Sequence, residues 1–248
     1  MQRFKSSQVK VVKLFFFLLF LIHLITIDLS YSQPSGHTLD AFMDSISRLY
    51  GTNDLLVNGY PYVQPDPSIK GHPYLNDNEW FVATLYIAGN EFKDQQVKYN
   101  IVDEILVLKA EVAEGKHLLI EANKSLVDSF RVRNQMFVNS SVVLKDRDNL
   151  RYYQLVQGGE VYFVRKFTKK FLSTYGMLSP NGKYSSTDEE RYVIADGEIT
   201  RVNNRRSFLK YFPEEKRKKV RSYLREHSLN YSKASFEELV NLSNFCFN

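Results

Sequence analysis

Glu79-Trp80-Phe81-Val82-Ala83-Thr84-Leu85-Tyr86-Ile87, followed by Gly89-Asn90, Val97-Lys98-Tyr99 and Glu104-Ile105-Leu106-Val107-Leu108, is the stretch that decides the fold. Its first nine residues are rich in aromatic and β-branched side chains, which suit a pleated, half-buried surface. Gly89-Asn90 offers a reversal, because glycine accepts positive φ freely and asparagine tolerates it. The chain then returns through Val97-Lys98-Tyr99 and runs on to Leu108, with a turn or bulge at 100–103. This reads as the opening of an antiparallel β-meander.

Further strands follow. His117-Leu118-Leu119-Ile120-Glu121, Leu126 to Val132 and Gln135 to Val138 are strands, and Lys145 to Asn149 is a charged turn. Tyr152 to Gln157 and Glu160 to Arg165 flank Gly158-Gly159, a hairpin pairing Val156 with Val161 and Leu155 with Tyr162. One face of it then carries Tyr153, Leu155, Tyr162 and Val164, the other Tyr152, Val156, Val161 and Phe163. Both faces are apolar, so both need cover. A polar loop from Gly176 leads to a last hairpin, Arg191 to Ala195 and Glu198 to Val202, turning at Asp196-Gly197.

Upstream, Leu39, Phe42, Met43, Ile46 and Leu49 lie at helical spacing ahead of Gly51. Residues 51–78 hold four prolines and read as loop, apart from Leu55-Leu56-Val57 turning at Asn58-Gly59. Downstream, Pro213 opens a helix running to about His227, and Ser235-x-x-Glu238 is a capping box opening the final one. The expected fold is therefore α+β: an antiparallel meander of about eight to ten strands, sandwich or curled half-barrel. A short N-terminal helix and two C-terminal helices pack on it. Val220, Tyr223 and Leu224 on one helix, with Phe236, Leu239, Val240, Leu242 and Phe245 as the inward face of the other, make too small a core for the C-terminal helices to stand alone.

Lys5, Lys10 and Lys13 precede an apolar run from Leu14 to Ile22, and Ser30-Tyr31-Ser32 places small residues at a cleavage site. That is the layout of a signal peptide, 1–32, cut after Ser32 and leaving a single β-rich domain, 33–248, whose helical part is 204–248. No transmembrane segment is expected after cleavage. The leader removes four of 33 basic and one of 28 acidic residues, so the mature chain keeps 29 and 27, net +2. Its one cysteine, Cys246, permits no internal disulfide, so packing must hold the domain together.

Leu56-Val57-Asn58-Gly59, Gly71-His72-Pro73-Tyr74-Leu75, the Trp80 strand, Gly89 and Val97-Lys98-Tyr99-Asn100 with Asp103 follow one another in an order that resembles an uncharacterised family of exported β-rich proteins of Bacteroidota. The resemblance implies export and a β-rich fold. It transfers no catalytic residue.

The residues offer little chemistry. His37, His72, His117 and His227 have no zinc spacing, and one cysteine excludes a thiolate site, so no cofactor or metal is expected. No Gly-x-Ser-x-Gly elbow occurs, and Gly158-Gly159 is a turn rather than a phosphate cradle. Asp103 and Glu104, adjacent on the chain, point apart on a strand and suit a turn or edge. Asp44-Ser45-Ile46 resembles a bacterial O-glycosylation sequence.

Charge is the exception. Arg201 to Arg225 holds ten basic residues and two acids, net +8, which leaves −6 elsewhere in the mature chain. One reading is a contact patch for an acidic protein or an anionic lipid surface, with Arg217, Arg221 and Arg225 as a stripe turned away from the sheet. The others are a solvated helix face supported by Glu214–Lys218 and Glu215–Lys219, or a basic helix resting on an acidic body. Nucleic acid does not suit an exported protein. The expectation is thus a non-catalytic binding or scaffold protein of the cell envelope. A carrier of an apolar ligand in a meander cavity and a secreted hydrolase without a recognisable motif are the alternatives.

Overall fold

In chain order the strands are β1 (Gly59–Pro61), β2 (Phe81–Ile87), β3 (Asn90–Asn100), β4 (Ile105–Glu111), β5 (His117–Ala122), β6 (Val127–Val132) and β7 (Gln135–Asn139). A four-residue helix α1 (Ser140–Val143) leads to β8 (Tyr152–Gln157), β9 (Val161–Thr168), β10 (Phe171–Leu172), β11 (Lys183–Tyr184), β12 (Asp188–Ala195) and β13 (Glu198–Arg201). Three helices close the chain: α2 (Arg205–Tyr211), α3 (Glu214–Glu226) and α4 (Phe236–Phe247). The computed structural model describes residues 55–247 apart from 57, 112–116, 145–147, 174, 175 and 178. The leader, the helix expected between Thr38 and Tyr50 and the Asp44-Ser45-Ile46 sequence lie outside the described residues.

Eleven strands form one open, antiparallel sheet in the order β1-β5-β4-β3-β2-β6-β7-β8-β9-β12-β13, and β10 pairs with β11 separately. That is more strands than the eight to ten expected. The quoted stretch supplies its centre, because β2 pairs with β3 on one side and β6 on the other. The β2–β3 reversal falls one residue earlier than Gly89-Asn90. Ala88 and Gly89 take φ of 48° and 79°, and Ile87 pairs with Asn90. Asn90 begins β3 and uses its side-chain amide to hold the Ala88 carbonyl at 3.2 Å.

Asn58-Gly59 is not a turn either. Gly59 opens an edge strand opposite Ala122, and a Cβ there would lie 2.0 Å from the Glu121 carbonyl oxygen. The glycine is needed for close approach of two backbones.

The sheet cannot be flat. Three strands separate β5 from β6, four spacings or about 19 Å in a flat sheet. The link from Ala122 to Val127 is five residues, at most about 17 Å when extended. It is also coiled tight, with the Leu126 and Val127 N–H groups both donating to Asn123 O at 2.9 and 3.1 Å. Strands β2 to β6 must therefore curl. The enclosed face buries Leu85, Ile87, Leu106, Leu108 and Ile120 around the rings of Tyr99, Phe130, Phe137 and Tyr152. Phe130 stacks on Phe137 at 4.7 Å, and Tyr99 and Tyr152 meet Phe130 edge-on.

The other end of the sheet is apolar on both faces. Val156, Phe163 and Val193 share a core with Phe208, Phe212, Val220, Leu224, Tyr231, Leu239 and Leu242. Tyr153, Val164 and Ile194 pack on the opposite face with Val138 and Val143. The faces of the β8–β9 hairpin are those the residue pattern gave, but its register is not. Leu155 pairs with Val164 and Gln157 with Phe163, a bulge leaving Val156 between them. A slip of two residues preserves which side chains share a face. Pro213 is the N-cap of α3 rather than its first helical residue, and α2, absent from the sequence reading, precedes it.

One polar seam crosses this apolar region. Glu189 receives Arg165 Nη1 at 3.0 Å and Arg191 Nε at 2.6 Å, and both guanidiniums are nearly buried. Arg165 also donates to Gln154 Oε1 at 2.7 Å, while Arg191 donates to the backbone carbonyls of Tyr231 and Ala234. The segment leading into α4 is thereby fastened to the sheet by charge-assisted hydrogen bonds.

Candidate functional site

The basic segment resolves into two helices that meet at a corner. Asn204 caps α2, its side chain accepting from Ser207 N at 2.9 Å while its own N–H donates to Ser207 Oγ at 3.2 Å. Phe208 and Leu209 turn inward from α2, as do Val220 and Leu224 from α3, and the cations are left on the outer faces. Arg217 joins the two helices. Its Nε donates to Leu209 O and its Nη2 to Phe212 O, each at 3.0 Å, and its Nη1 meets Glu214 at 2.6 Å. These carbonyls belong to the C-terminal end of α2, where a cation is favoured.

The corner encloses an open concavity of about 460 Å³ lined by Arg205, Arg206, Leu209, Lys210, Arg217 and Arg221. A second, of about 470 Å³, is lined by Pro213, Glu215, Lys216, Lys219 and Phe245. Phe245 from α4 is 44% exposed and stacks on Tyr223 at 4.5 Å. A basic ledge with a single exposed ring thus flanks α3.

The stripe Arg217, Arg221, Arg225 does not act as one unit. Arg217 is a half-buried pin, Arg221 sits on the rim of the first concavity 3.9 Å from Glu214, and Arg225 is exposed farther along α3. Arg205, Arg206 and Lys210, counted in the basic segment but left out of the stripe, come from α2, the helix that sequence reasoning missed. Asn204-x-x-Ser207 was the signal that would have found it. The expected pairs Glu214–Lys218 and Glu215–Lys219 do not form, since Glu214 is drawn to Arg217 and Arg221. Among the described residues Arg205, Arg206, Lys210, Lys216, Lys218, Lys219 and Arg225 enter no ion pair. No acidic body receives them, for the buried faces of both helices are apolar.

The residues that carried the family resemblance meet elsewhere, at the curled end. Residues 73–75 pair along the edge of β3 beyond the end of its pairing with β2: Leu75 N donates to Tyr99 O at 2.9 Å and Ile101 N to Pro73 O at 3.0 Å. Lys169 Nζ holds the Tyr74 and His72 carbonyls at 2.7 and 3.2 Å. Lys98 sits 4.8 and 4.9 Å from the Tyr74 and Trp80 ring centres and donates to Asn78. Burial and Lys169 lower the His72 pKa. These contacts fasten the segment down. Asp103 and Glu104 lie in the β3–β4 turn, where Asp103 accepts from Asn100 and Glu104 from Tyr99 and Lys166.

The chain matches no protein-family model, no curated protein and no solved structure. Among the described residues no three His, Cys, Asp or Glu side chains are grouped to hold a metal ion, and no helix is long and apolar enough to cross a membrane. At the mouth of the curled strands, a cavity of about 30 Å³ lies between Leu75, Phe81, Val97, Tyr99, Phe130 and Phe137. That is water-sized, against about 300–1,000 Å³ for a ligand pocket.

Proposed function

We propose that this is an exported, non-catalytic binding protein of the bacterial envelope, released from its leader after Ser32, that docks on an anionic lipid surface through the ledge of α2 and α3. On this reading the meander is a curled half-barrel and the helices it carries are the working face. One observation carries the proposal: five exposed cations without ion-pair partners among the described residues, Arg205, Arg206, Lys210, Lys216 and Lys219, line two open concavities. Arginine forks match phosphate oxygens bidentately, and the pinned Arg217 holds the corner in shape before any ligand arrives.

An acidic protein is the weaker occupant. The cores of protein interfaces are depleted in charge and centred on apolar anchors, whereas the exposed apolar residues lining this ledge are Pro213 and Phe245. A headgroup layer needs cations alone. Each lysine or arginine near such a surface contributes about 1 kcal/mol, so four engaged at once give on the order of a thousandfold in partitioning. The test is co-sedimentation with vesicles of phosphatidylglycerol and phosphatidylcholine against phosphatidylcholine alone. The protein should pellet with the anionic vesicles at low salt and be released at about 1 M salt, where screening acts over only about 3 Å. Equal association with both vesicle types, or none, overturns the reading.

A further inference from the structure

A second surface lies at the opposite end of the sheet from the helices. The tight seating of Gly59 against β5 places Tyr60 directly across from Glu121. Cross-strand partners share a face, and Glu121 follows the fully buried Ile120, so Tyr60 and Glu121 stand on the outer side. Tyr62 continues the ladder, its N–H donating to Leu119 O at 2.8 Å, and at two residues from Tyr60 it stands on the same side. The two phenols differ in freedom. Tyr62 is fixed, its hydroxyl lying 3.2 Å from the Tyr74 hydroxyl and 3.3 Å from Asn100 Nδ2, which also binds Asp103 at 2.8 Å. Tyr60 is 64% exposed, and no hydrogen bond engages its hydroxyl among the described residues.

Groups of both signs lie around Glu121. Lys124, from the β5–β6 link, is half-buried, and burial lowers its pKa against the pull of Glu104 and Glu121. Burial raises the Glu121 pKa, with Lys124 opposing and Asp103 reinforcing the rise. Perturbed acids and bases gathered at one surface mark a candidate site. Their chemistry selects the ligand. A simple ion would meet opposed charges, and an apolar molecule would strand them without hydrogen-bond partners. A molecule with an apolar C–H face and many hydroxyls satisfies both halves. Its C–H bonds meet the electron-rich ring face, and its hydroxyls donate to carboxylates and accept from an ammonium.

We propose that the outer face of β1 and β5 is a saccharide-binding platform. Tyr60 is the stacking ring, Tyr62 is its fixed neighbour, and Glu121, Asp103 and Lys124 are the hydroxyl partners. The site is independent of the α2–α3 ledge, so either proposal stands or falls alone. The full mature chain is applied to an array of neutral hexose and hexosamine oligosaccharides, then compared with Tyr60→Ala, Tyr60→Trp and Glu121→Gln. Tyr60→Ala and Glu121→Gln should each weaken binding about tenfold or more, while Tyr60→Trp, which keeps an aromatic face, should retain it. Because Tyr60 is mostly exposed, its truncation should leave the thermal midpoint unchanged. Absence of binding by the wild-type chain overturns the proposal, as does a Tyr60→Ala variant that binds as tightly as wild type.

Discussion

Replacing Glu189 by alanine isolates the polar seam that ties the C-terminal helices to the sheet. The carboxylate is 28% exposed and serves two guanidiniums that are only 10% and 7% exposed. Its removal deletes two hydrogen bonds between charged groups and leaves two buried cations repelling each other. Hydrogen bonds to charged groups contribute about 1.5–3 kcal/mol each, and breaking a buried pair costs about 3–5 kcal/mol. The retained contacts of Arg165 to Gln154 and of Arg191 to Tyr231 and Ala234 hold the loss within that range rather than above it. At about 2–4 °C per kcal/mol for a domain of this size, the thermal midpoint should fall by about 6–20 °C. Glu190→Ala is the control one residue away, where the carboxylate pairs with an Arg201 that is 61% exposed. The Glu190 carboxylate also accepts from the Tyr192 hydroxyl at 2.8 Å, so its loss should cost about 1–2 kcal/mol. Urea unfolding followed by circular dichroism measures both. Equal losses for the two variants, or less than about 1 kcal/mol for Glu189→Ala, would refute the seam as a fastener.

Two further outcomes follow from packing. Gly59→Ala should detach β1 from β5, since its methyl would collide with the Glu121 carbonyl, and exchange protection of the Tyr62 N–H should vanish while that of the β8–β9 pairing survives; unchanged protection would contradict the close-approach argument. Cys246 is fully buried and burial pushes its thiol up to about 12. Iodoacetamide at pH 8 should therefore label it only in denaturant, and rapid labelling of native protein would show that the C-terminal helix stands open. The same shift fixes a pH trend. The native state holds the proton more tightly than the unfolded chain, so this contribution is complete below the unfolded thiol value near 9. It is lost as pH rises from there toward about 12.

Much of the sheet was legible because alternation and turn chemistry are local. Asp196-Gly197 turned where expected, with φ of 54° and 80°, and Ser235 and Glu238 form the reciprocal cap read from their spacing. What failed depended on groups remote in the chain. Gly59 looked like a turn glycine because the backbone it must approach lies 62 residues away at Glu121. The β8–β9 register differs by two residues and carries a bulge at Val156, which the local turn residues Gly158-Gly159 do not reveal. At the ledge, charge density was visible from composition. The corner was not, because it depends on Arg217 reaching back to two carbonyls across the Phe212-Pro213 link between helices. Stripes drawn on one helix miss neighbours contributed by another.

The central claim is that a located surface, not net charge, carries docking. Two charge-reversed variants with the same net change separate these. Arg205→Glu with Arg206→Glu alters the ledge, and both positions lie in the first turn of α2, where acids are tolerated by the helix dipole. Lys93→Glu with Lys183→Glu makes the same change on exposed strand positions away from it. Binding to phosphatidylglycerol vesicles at low salt should be abolished by the first pair and fall by no more than about threefold with the second. Equal losses for the two pairs would contradict the account.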